Sequence, residues 1–329
     1  MMYNRILDAI GNTPCVKVPF NCPGSIYAKL EYLNPGGSVK DRSALFMIEQ
    51  AEKTGKLKPG GTLIDASSGN QGIATAMIGA LKGYKVIITV PEKTSKEKYG
   101  TMKAYGAEVV VCPTKANLQD PESYHSKAHA IHKATPNSFM PNQYFNTDNA
   151  LAHYTITGPE IWKQTNGMIT HFFAGAGTCG TVSGVGKYLK EQNPMVKVFA
   201  IDASTSFRST KGNPGPYKYE GIGVDFLSPV LNESVIDDFL TVSDQDGIGY
   251  LKILAANYGL LVGSASGAVA WATQQYAKAH MKDGDIAVMI FGDSGRAYLT
   301  KGFYDQDSDE STGKPLADAI KHKTSSISF

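Results

Sequence analysis

The sequence predicts an α/β protein whose sheets are mostly parallel and covered by helices on both faces. Three observations support this fold class. Short apolar runs of strand length alternate with helical patterns along the chain. Two loops rich in glycine and hydroxyl residues each stand between such a run and a helical pattern. The chain has 329 residues, 42% of them hydrophobic and 19% charged, which is enough for two domains that share a large buried core.

Six apolar runs predict buried strands, because short continuous apolar segments bounded by turn residues are typical of parallel sheets. They are residues 61–66, 85–91, 107–112, 170–175, 197–202 and 285–292. Two intervening stretches predict helices. Residues 71–81 place Ile73, Met77, Ala80 and Leu81 on one face and stop at Gly83; residues 181–192 place Val182, Val185, Tyr188 and Leu189 on one face, with Pro194 just beyond.

Two further segments are not regular elements. Residues 211–223, KGNPGPYKYEGIG, are rich in Gly, Pro and Tyr and predict an ordered functional loop. Residues 305–329 are polar and weakly periodic, which predicts a mobile surface tail.

The charge and residue composition limit which kinds of binding partner are expected. The formal net charge is only +2, from 32 Lys+Arg against 30 Asp+Glu, so neither a nucleic acid nor an anionic membrane surface is expected. No apolar run is long enough for a membrane span. The four cysteines, Cys15, Cys22, Cys112 and Cys179, match no zinc or disulfide pattern. We therefore expect a cytoplasmic protein that binds a small anionic ligand.

The loop GAGTCG, residues 175–180, has the clearest spacing. It fits G-x-G-x-x-G, follows an apolar run, and precedes Asp202, which is 22 residues after Gly180. That pattern is typical of a dinucleotide site and would suggest a nicotinamide-dependent dehydrogenase. About half of the chain precedes the loop, however, whereas such a fingerprint usually opens its domain. Its glycines and the hydroxyls of Thr178 and Thr181 fit another phosphate equally well. Cys179 has no base nearby in sequence and is interpreted as a small side chain tolerated in the turn.

The loop SSGNQG, residues 67–72, has two interpretations. It offers the hydroxyls of Ser67 and Ser68 and the amides of Asn70 and Gln71 at the start of a predicted helix. A helix N-terminus with such donors suits a carboxylate or a phosphate. The same residues would also serve as the N-cap of an ordinary βα turn.

Lys40 is a candidate nucleophile. It follows Gly36, Gly37 and Ser38 at the start of a predicted helix. A lone lysine is usually a solvated charge. A lysine partly desolvated at a helix N-terminus would instead have a lowered pKa and could form a Schiff base.

Ser264 and Ser266, in GSASGA, either cap the following helix or donate to a ring nitrogen.

Three histidines share one helical face, since His125, His129 and His132 are spaced by four and three residues. No cysteine or HExxH motif accompanies them, and Lys127 and Lys133 flank them. We interpret this face as solvated or loosely packed and expect no metal site.

In combination, these stretches resemble a known family. KLEYLNPGGSVKDRSA, ASSGNQGIA, PNQYFN, GAGTCGTVSG and GSASGA are similar to fold-type-II pyridoxal-phosphate enzymes, and more closely to the cystathionine β-synthase and cysteine synthase (O-acetylserine sulfhydrylase) family. The resemblance extends from residue 10 to residue 301. PEKTSKEK (91–98), LAHY (151–154), YEGIGVDF (219–226) and DSGRAYLTK (293–301) favour the cystathionine β-synthase branch.

The resemblance implies a role for each matching residue. Lys40 would be the Schiff-base lysine, and Asn70 would hydrogen-bond the 3′-oxygen of the cofactor. Ser266, or Ser264 if the alignment slips, would face the pyridine nitrogen. The phosphate loop would consist of Gly177, Thr178, Cys179, Gly180 and Thr181. The substrate-binding residues would be Ser67, Ser68, Gln71, Gln143 and Gly223.

The resemblance also implies a fold and an activity. The larger, phosphate-binding domain would consist of residues 1–40 and 147–329, and the smaller domain, with the carboxylate loop, of residues 41–146. The expected reaction is β-replacement, in which serine or O-acetylserine and homocysteine give cystathionine. The alternative is a cysteine synthase that uses O-acetylserine or O-phosphoserine and sulfide. Val224 stands where cystathionine β-synthases usually have Tyr, which leaves the acceptor open. Family members are usually homodimers, so the resemblance implies a homodimer here.

Overall fold

Strands and helices alternate along the chain. The structure is a computed structural model and describes residues 2–114 and 120–305. The predicted tail lies, beyond Asp305, outside the described residues. The strands are Cys15–Val18 (β1), Ser25–Leu30 (β2), Thr62–Ala66 (β3), Lys85–Pro91 (β4), Glu108–Cys112 (β5), Ser138–Phe139 (β6), His171–Gly175 (β7), Lys197–Ala203 (β8), Asp238–Val242 (β9) and Ile286–Phe291 (β10).

The helices connect these strands. They are Lys40–Lys53 (α1), Asn70–Lys82 (α2), Lys96–Ala104 (α3), Tyr124–Ala134 (α4), Asp148–Ala152 (α5), Gly158–Gln164 (α6), Gly180–Gln192 (α7), Asp244–Tyr258 (α8) and Ser264–His280 (α9). A π-helical turn, His153–Thr157, joins α5 to α6, and a 3-10 helix, Gly295–Lys301, follows β10. No helix of the described ranges has both the length and the apolar character needed to cross a membrane.

The larger of the two sheets has six strands in the order β1-β2-β10-β7-β8-β9. All neighbours are parallel except the edge strand β1, which is antiparallel to β2. Helices cover both faces because successive side chains of a buried strand point to opposite sides. Phe172 packs with Val182 and Leu189 of α7, whereas Phe173 packs with α9 on the other face.

The smaller sheet has four parallel strands in the order β5-β4-β3-β6. On one face, Leu63 and Ile88 pack with Ala74 and Ile78 of α2. On the other, Ile64 and Ile87 pack with Ala128 of α4. The predicted α/β class with mostly parallel sheets is therefore confirmed. The exact domain boundaries at residues 40 and 146 stay a prediction.

All six predicted strands are present, with ends that differ by one residue or less, and both predicted helices are present. Helix α2 ends at Gly83, whose φ of +75° is the left-handed conformation that glycine adopts without strain. The apolar pattern does not predict β1, β2, β6 or β9. In β1 (CVKV) and β9 (DFLTV) a polar residue interrupts the apolar ones, so both lack the continuous apolar run of the predicted strands.

Candidate active site

The predicted site residues converge on two adjoining cavities. One is bordered by Lys40, Gly177, Thr178, Cys179, Thr181 and Ser266. The other is bordered by Lys40, Ser67, Ser68, Asn70, Gln71, Gln143, Gly177, Thr178 and Gly223. Parallel strands end together at one edge of a sheet, which is why loops distant in sequence meet here. Of the predicted residues, Gly180 and the alternative Ser264 border neither cavity.

Lys40 is the residue common to both cavities that carries an amine. It opens α1, and the preceding turn is joined to the end of β10 by the hydrogen bond from Val39 N to Gly292 O, 2.8 Å. The Lys40 side chain is half-buried, because part of its surface borders the cavities. Its amine is nevertheless enclosed by protein atoms. This desolvation lowers the pKa of Lys40 to about 8, although Asp293 and Cys179 act in the opposite direction. An appreciable neutral fraction near neutral pH makes the amine a competent nucleophile.

The turn before Lys40 depends on glycine. Gly37 has a φ of +87°, and Gly36 donates from its backbone N to Asp41 Oδ2 at 2.6 Å. A Cβ on Gly36 would lie 2.5 Å from Asp41 Oδ1, so only glycine fits beside this carboxylate.

The loop after β3 combines both roles that the sequence left open. Ser67 Oγ accepts from the backbone N of Gly72 at 2.9 Å and of Gly69 at 3.3 Å, so it caps the start of α2. Ser68, Asn70 and Gln71 meanwhile border the cavity that contains Lys40. The capping oxygen and the ligand-facing donors belong to the same turn.

Two glutamines near this loop have unpaired acceptor oxygens. Gln71 Oε1 and Gln143 Oε1 are buried and have no hydrogen-bond partner within the described residues. A buried polar atom without a partner is unfavourable unless a ligand or water satisfies it. Both glutamines border the same cavity, so their acceptor oxygens are available to a hydrogen-bond donor of a ligand there.

The loop at the start of α7 is a close-fitting backbone cradle. A Cβ on Gly177 would lie 2.4 Å from Gly221 O, and one on Gly180 would lie 2.1 Å from Asn149 Oδ1. Gly180 therefore serves the cradle by allowing α5 to approach. The unpaired N–H groups of the first helical turn suit an anion without any lysine or arginine.

The threonines of this cradle are held by buried partners. Thr178 Oγ1 accepts from Asn149 Nδ2 at 3.0 Å, and Thr181 Oγ1 lies 3.2 Å from His153 Nε2. Burial, reinforced by Lys40, lowers the pKa of His153 to about 3. The imidazole is thus neutral at physiological pH and adds no charge to the cradle.

Cys179 has a strained backbone and a buried thiol. Its φ is +65°, where glycine is usual, and its Sγ donates to Gly177 O at 3.6 Å. Its side chain is packed in the core beside Val182 rather than exposed. Burial, with Asp202 adding to it, raises the pKa of the thiol to about 12, so Cys179 is unsuited to act as a nucleophile.

The two serines of GSASGA differ in position. Ser264 Oγ accepts from the backbone N of Glu220 at 3.0 Å, so it anchors the 219–223 loop. Ser266 Oγ accepts from the backbone N of Gly292 at 3.1 Å and borders the cavity beside Lys40. Its hydroxyl hydrogen remains available for a ligand, which favours Ser266 over Ser264 as the partner of a ring nitrogen.

Asp202 does not offer the exposed carboxylate that a dinucleotide site requires. It is 2% exposed, and its oxygens accept from Ser206 Oγ at 2.5 Å, Ser209 Oγ at 3.3 Å and Ala203 N at 2.9 Å. The G-x-G-x-x-G loop is therefore present without the ribose-binding acid of the nicotinamide alternative.

The three histidines of α4 contact one another or a neighbouring hydroxyl. His125 and His129 have ring centroids 5.3 Å apart, and His132 Nδ1 is hydrogen-bonded to Ser138 Oγ at 2.8 Å. In residues 2–114 and 120–305, no group of three or more His, Cys, Asp or Glu side chains is placed to hold a metal ion.

Asn70 belongs to a polar cluster beside the site whose other members the sequence did not single out: Lys98, Glu220, Asp293 and Tyr298. Lys98 Nζ is hydrogen-bonded to Glu220 and lies 3.2 Å from Tyr298 Oη. Asp293 Oδ2 accepts from Tyr298 Oη at 2.5 Å and from Asn70 Nδ2 at 2.8 Å. Lys98, Glu220, Asp293 and Tyr298 lie in stretches that carry the resemblance, but no local pattern distinguishes them from surface charges.

A third cavity opens outward from the site. The loop 214–223 forms one wall, and Ser68, Lys93, Tyr144 and Lys301 are among the other bordering residues. Ser68, Tyr144 and Gly223 also border the cavity that contains Lys40 and the 67–71 loop. A second molecule in this outer cavity would therefore lie next to one bound at Lys40.

Comparison with known proteins agrees with this geometry. A family model described as "pyridoxal-phosphate dependent enzyme" matches residues 6–293. A cystathionine β-synthase of Apis mellifera is 45% identical over 306 residues, which cover 90% of this chain and 60% of the relative. A cysteine synthase of Helicobacter pylori is 40% identical over 311 residues, which cover 92% of this chain and 99% of the relative.

A solved structure shares the fold closely. The crystal structure of an O-acetylserine dependent cystathionine β-synthase from Helicobacter pylori has a TM-score of 0.85 and 40% identity, and the match covers 92% of this chain and 99% of that one. The chain spans only 60% of the length of the Apis mellifera relative. The predicted family, fold type and cofactor are confirmed: the chain belongs to the pyridoxal-phosphate dependent enzymes of the cystathionine β-synthase and cysteine synthase type.

Proposed function

We propose that this chain catalyses β-replacement on serine or an O-activated serine, with a thiol as the incoming group. The observation that carries the proposal is the Lys40 amine of lowered pKa, which borders the same cavities as the anion cradle and the carboxylate loop. The residues present fit pyridoxal phosphate. Lys40 would hold its aldehyde, the cradle 177–181 its phosphate, Asn70 its 3′-oxygen and Ser266 its ring nitrogen.

When bound, pyridoxal phosphate withdraws electrons from the α-carbon of an attached amino acid. Lys40 Nζ removes the α-proton and later returns it, as a general base with a pKa near the working pH should. Over the reaction, the bond from Cβ to the departing oxygen breaks and a bond from Cβ to sulfur forms. Ser266 donates a neutral hydrogen bond and no proton, which favours β-elimination chemistry over transamination.

The loop 67–71 would hold the carboxylate of the donor. Ser68 and the amides of Gln71 and Gln143 border the cavity, and the start of α2 adds N–H donors. Two features of the site thus match the two anionic groups of the complex. The cradle suits the phosphate of the cofactor, and the 67–71 loop suits the carboxylate of the amino acid.

The outer cavity supports an amino-acid thiol, such as homocysteine, as the acceptor. Sulfide would need no such space, whereas an amino acid needs room and partners for its own charges. Lys93 and Lys218 border this cavity, as does Asp225, and groups of both signs would suit a zwitterion. Serine and O-acetylserine both remain candidates for the donor, the latter because the Helicobacter pylori relative of known structure is described as O-acetylserine dependent.

The alternative is cysteine synthase activity with sulfide. It is supported by the Helicobacter pylori relative named cysteine synthase, whose length this chain nearly matches. A nicotinamide-dependent dehydrogenase would require the free acid that Asp202 does not provide. A non-catalytic amino-acid-binding relative would bind the cofactor without turnover.

The test is a panel of serine, O-acetylserine and O-phosphoserine crossed with homocysteine and sulfide, with products identified by mass. We expect cystathionine as the main product. Lys40→Ala should abolish both turnover and the visible absorbance of the linked cofactor. Retained turnover in Lys40→Ala would refute the assignment, and cysteine as the sole product would favour the alternative.

We also propose the homodimer and the two-domain division that the resemblance implies. Sedimentation velocity of the holoenzyme tests the first, since a single species of one-chain mass would contradict it. Urea unfolding followed by two probes tests the second, because domains that unfold separately give transitions that do not coincide, whereas one cooperative transition would give it no support.

A further inference from the structure

Asp293 lies at the junction of the segments that build the site. It is 4% exposed and follows β10. Its backbone pairs with Ser38, just before Lys40, and accepts from the backbone N of Gly263, just before α9. Its side chain is close to Gly263, where a Cβ would lie 2.0 Å from Oδ1. The carboxylate position is therefore determined by backbone on two sides.

The carboxylate directly engages one of the predicted cofactor-binding residues. Asn70 Nδ2 donates to Asp293 Oδ2 at 2.8 Å. An ionised carboxylate only accepts hydrogen bonds, so this contact fixes the nitrogen of the Asn70 amide toward Asp293. The second hydrogen of the same nitrogen is then the donor available for an oxygen in the cavity.

Three groups around Asp293 favour its ionised form and oppose the effect of burial. Tyr298 Oη donates to the same oxygen at 2.5 Å. Lys98 from α3 lies 3.2 Å from Tyr298 Oη and is itself paired with Glu220, which also pairs with Lys301. Burial, with Glu220 adding to it, raises the pKa of Asp293, while Lys98, Tyr298 and Asn70 act to lower it; the net pKa is above its ordinary value. Lys40, at the start of α1, is a further charged group that interacts with Asp293.

We propose that Asp293 is a positioning residue of the active site. It orients the Asn70 amide as a donor toward the cofactor ring and places a negative charge beside Lys40. This inference rests on the proposed function, since it assumes that Lys40 and Asn70 hold pyridoxal phosphate. The charge favours a protonated nitrogen at the Lys40 linkage, which is the form that reacts with an incoming amine.

The test is a pH titration of the visible spectrum of the holoenzyme, together with the dissociation constant of the cofactor. The protonated linkage absorbs at longer wavelength than the neutral one. In Asp293→Asn, the midpoint between the two bands should fall by roughly one pH unit, because an opposite charge has been removed. Cofactor affinity should fall about tenfold, because the introduced amide could itself donate to Asn70 and allow the Asn70 amide to flip.

Two variants complete the design. Tyr298→Phe removes a donor that lowers the pKa of Asp293, so Asp293 should hold a proton more readily and the midpoint should shift in the same direction by a smaller amount. Asp237→Asn removes a carboxylate that pairs with Lys190 and Lys197 and borders none of the three cavities, and it should titrate like wild type. If Asp293→Asn does not accumulate as folded holoenzyme, Tyr298→Phe decides the question.

The outcomes separate this inference from the proposed function. A coloured wild-type protein whose Asp293→Asn and Tyr298→Phe variants titrate and bind cofactor like wild type overturns the role of Asp293 alone. A colourless wild-type protein that binds no cofactor overturns the proposed function and, with it, this inference.

Discussion

At the scale of single residues, the chemistry depends on the pKa and the position that the fold gives to ordinary side chains. Lys40 differs from a surface lysine only in its desolvated surroundings, which lower its pKa from 10.5 to about 8. Ser266 and Asn70 need no change of pKa, because their positions beside the cavity are sufficient for them to hydrogen-bond a ligand. The sequence could predict these three residues from the loops that contain them. It could not predict the direction in which each side chain points.

The lowered pKa of Lys40 predicts how the apoenzyme captures its cofactor. Only the neutral amine attacks the aldehyde, so the capture rate should rise about tenfold per pH unit below pH 8 and level off above it. Stopped-flow mixing of apoenzyme with pyridoxal phosphate measures this rate. A free lysine derivative is the control, because its rate should continue to rise toward pH 10. A plateau at the same high pH in both would contradict the lowered pKa.

At the scale of elements, the ion pair between buried Lys98 and partly exposed Glu220 joins helix α3, beside the four-stranded sheet, to the loop that forms one wall of the outer cavity. Lys98 lies on α3, and its amine is 4.2 Å from the centroid of the Tyr298 ring. Glu220 also pairs with Lys301 at the end of the 3-10 helix. Three elements distant in sequence thus meet through one carboxylate, beside the residues that hold the ligand.

Glu220→Gln should therefore destabilise the protein. It leaves the Lys98 charge, which is 2% exposed, with Asp293 as its remaining acidic neighbour. Because the Glu220 side chain is 26% exposed, the free energy of unfolding should fall by about 2 kcal/mol, between the values for exposed and fully buried pairs. Urea unfolding followed by circular dichroism measures the change. Glu108→Gln is the matched control, since Lys85 and Glu108 form an exposed pair of the kind that contributes little. Equal effects of the two changes would show that burial of the Lys98 pair is unimportant.

The strands also show which elements a sequence pattern is sufficient to predict. The strands β3, β4, β7, β8 and β10 were predictable because they are buried on both faces and consist of continuous apolar runs. β1 at the sheet edge alternates with polar residues over only four positions. The Lys98–Glu220 pair spans 122 residues, and no local spacing reveals such a contact.

At the scale of the whole molecule, buried charges of opposite effect determine how stability depends on pH. Glu31 is fully buried, which alone would raise its pKa, but Arg42 lowers it to about 2. Its contribution is present above about pH 4.5 and is lost as the pH falls toward 2. Asp65 and Asp41 have the reverse behaviour, because burial raises their pKa values to about 6 and about 7. These two carboxyls lose stabilisation as the pH rises.

Asp65→Asn isolates one of these effects. Asp65 is 1% exposed and accepts from Thr75 Oγ1 at 2.8 Å, and an asparagine can accept the same bond without a buried charge. Between the unfolded pKa of 3.8 and the folded value of about 6, wild type takes up a proton on folding, so its stability falls as the pH rises through this window. The variant does not titrate there.

The free energy of unfolding of Asp65→Asn, relative to wild type, should therefore increase from about pH 4 to about pH 6 and remain constant above. At the plateau the gain is about 1–3 kcal/mol, given about 1.4 kcal/mol for each unit of pKa shift. Urea unfolding at a series of pH values measures it, and Asp283→Asn in the exposed turn after α9 is the control for the loss of a carboxylate. A relative stability that is independent of pH would mean that Asp65 is ionised in the folded protein throughout this window. The hydrogen bonds from Thr75 and Gln71 would then offset the full cost of burying its charge.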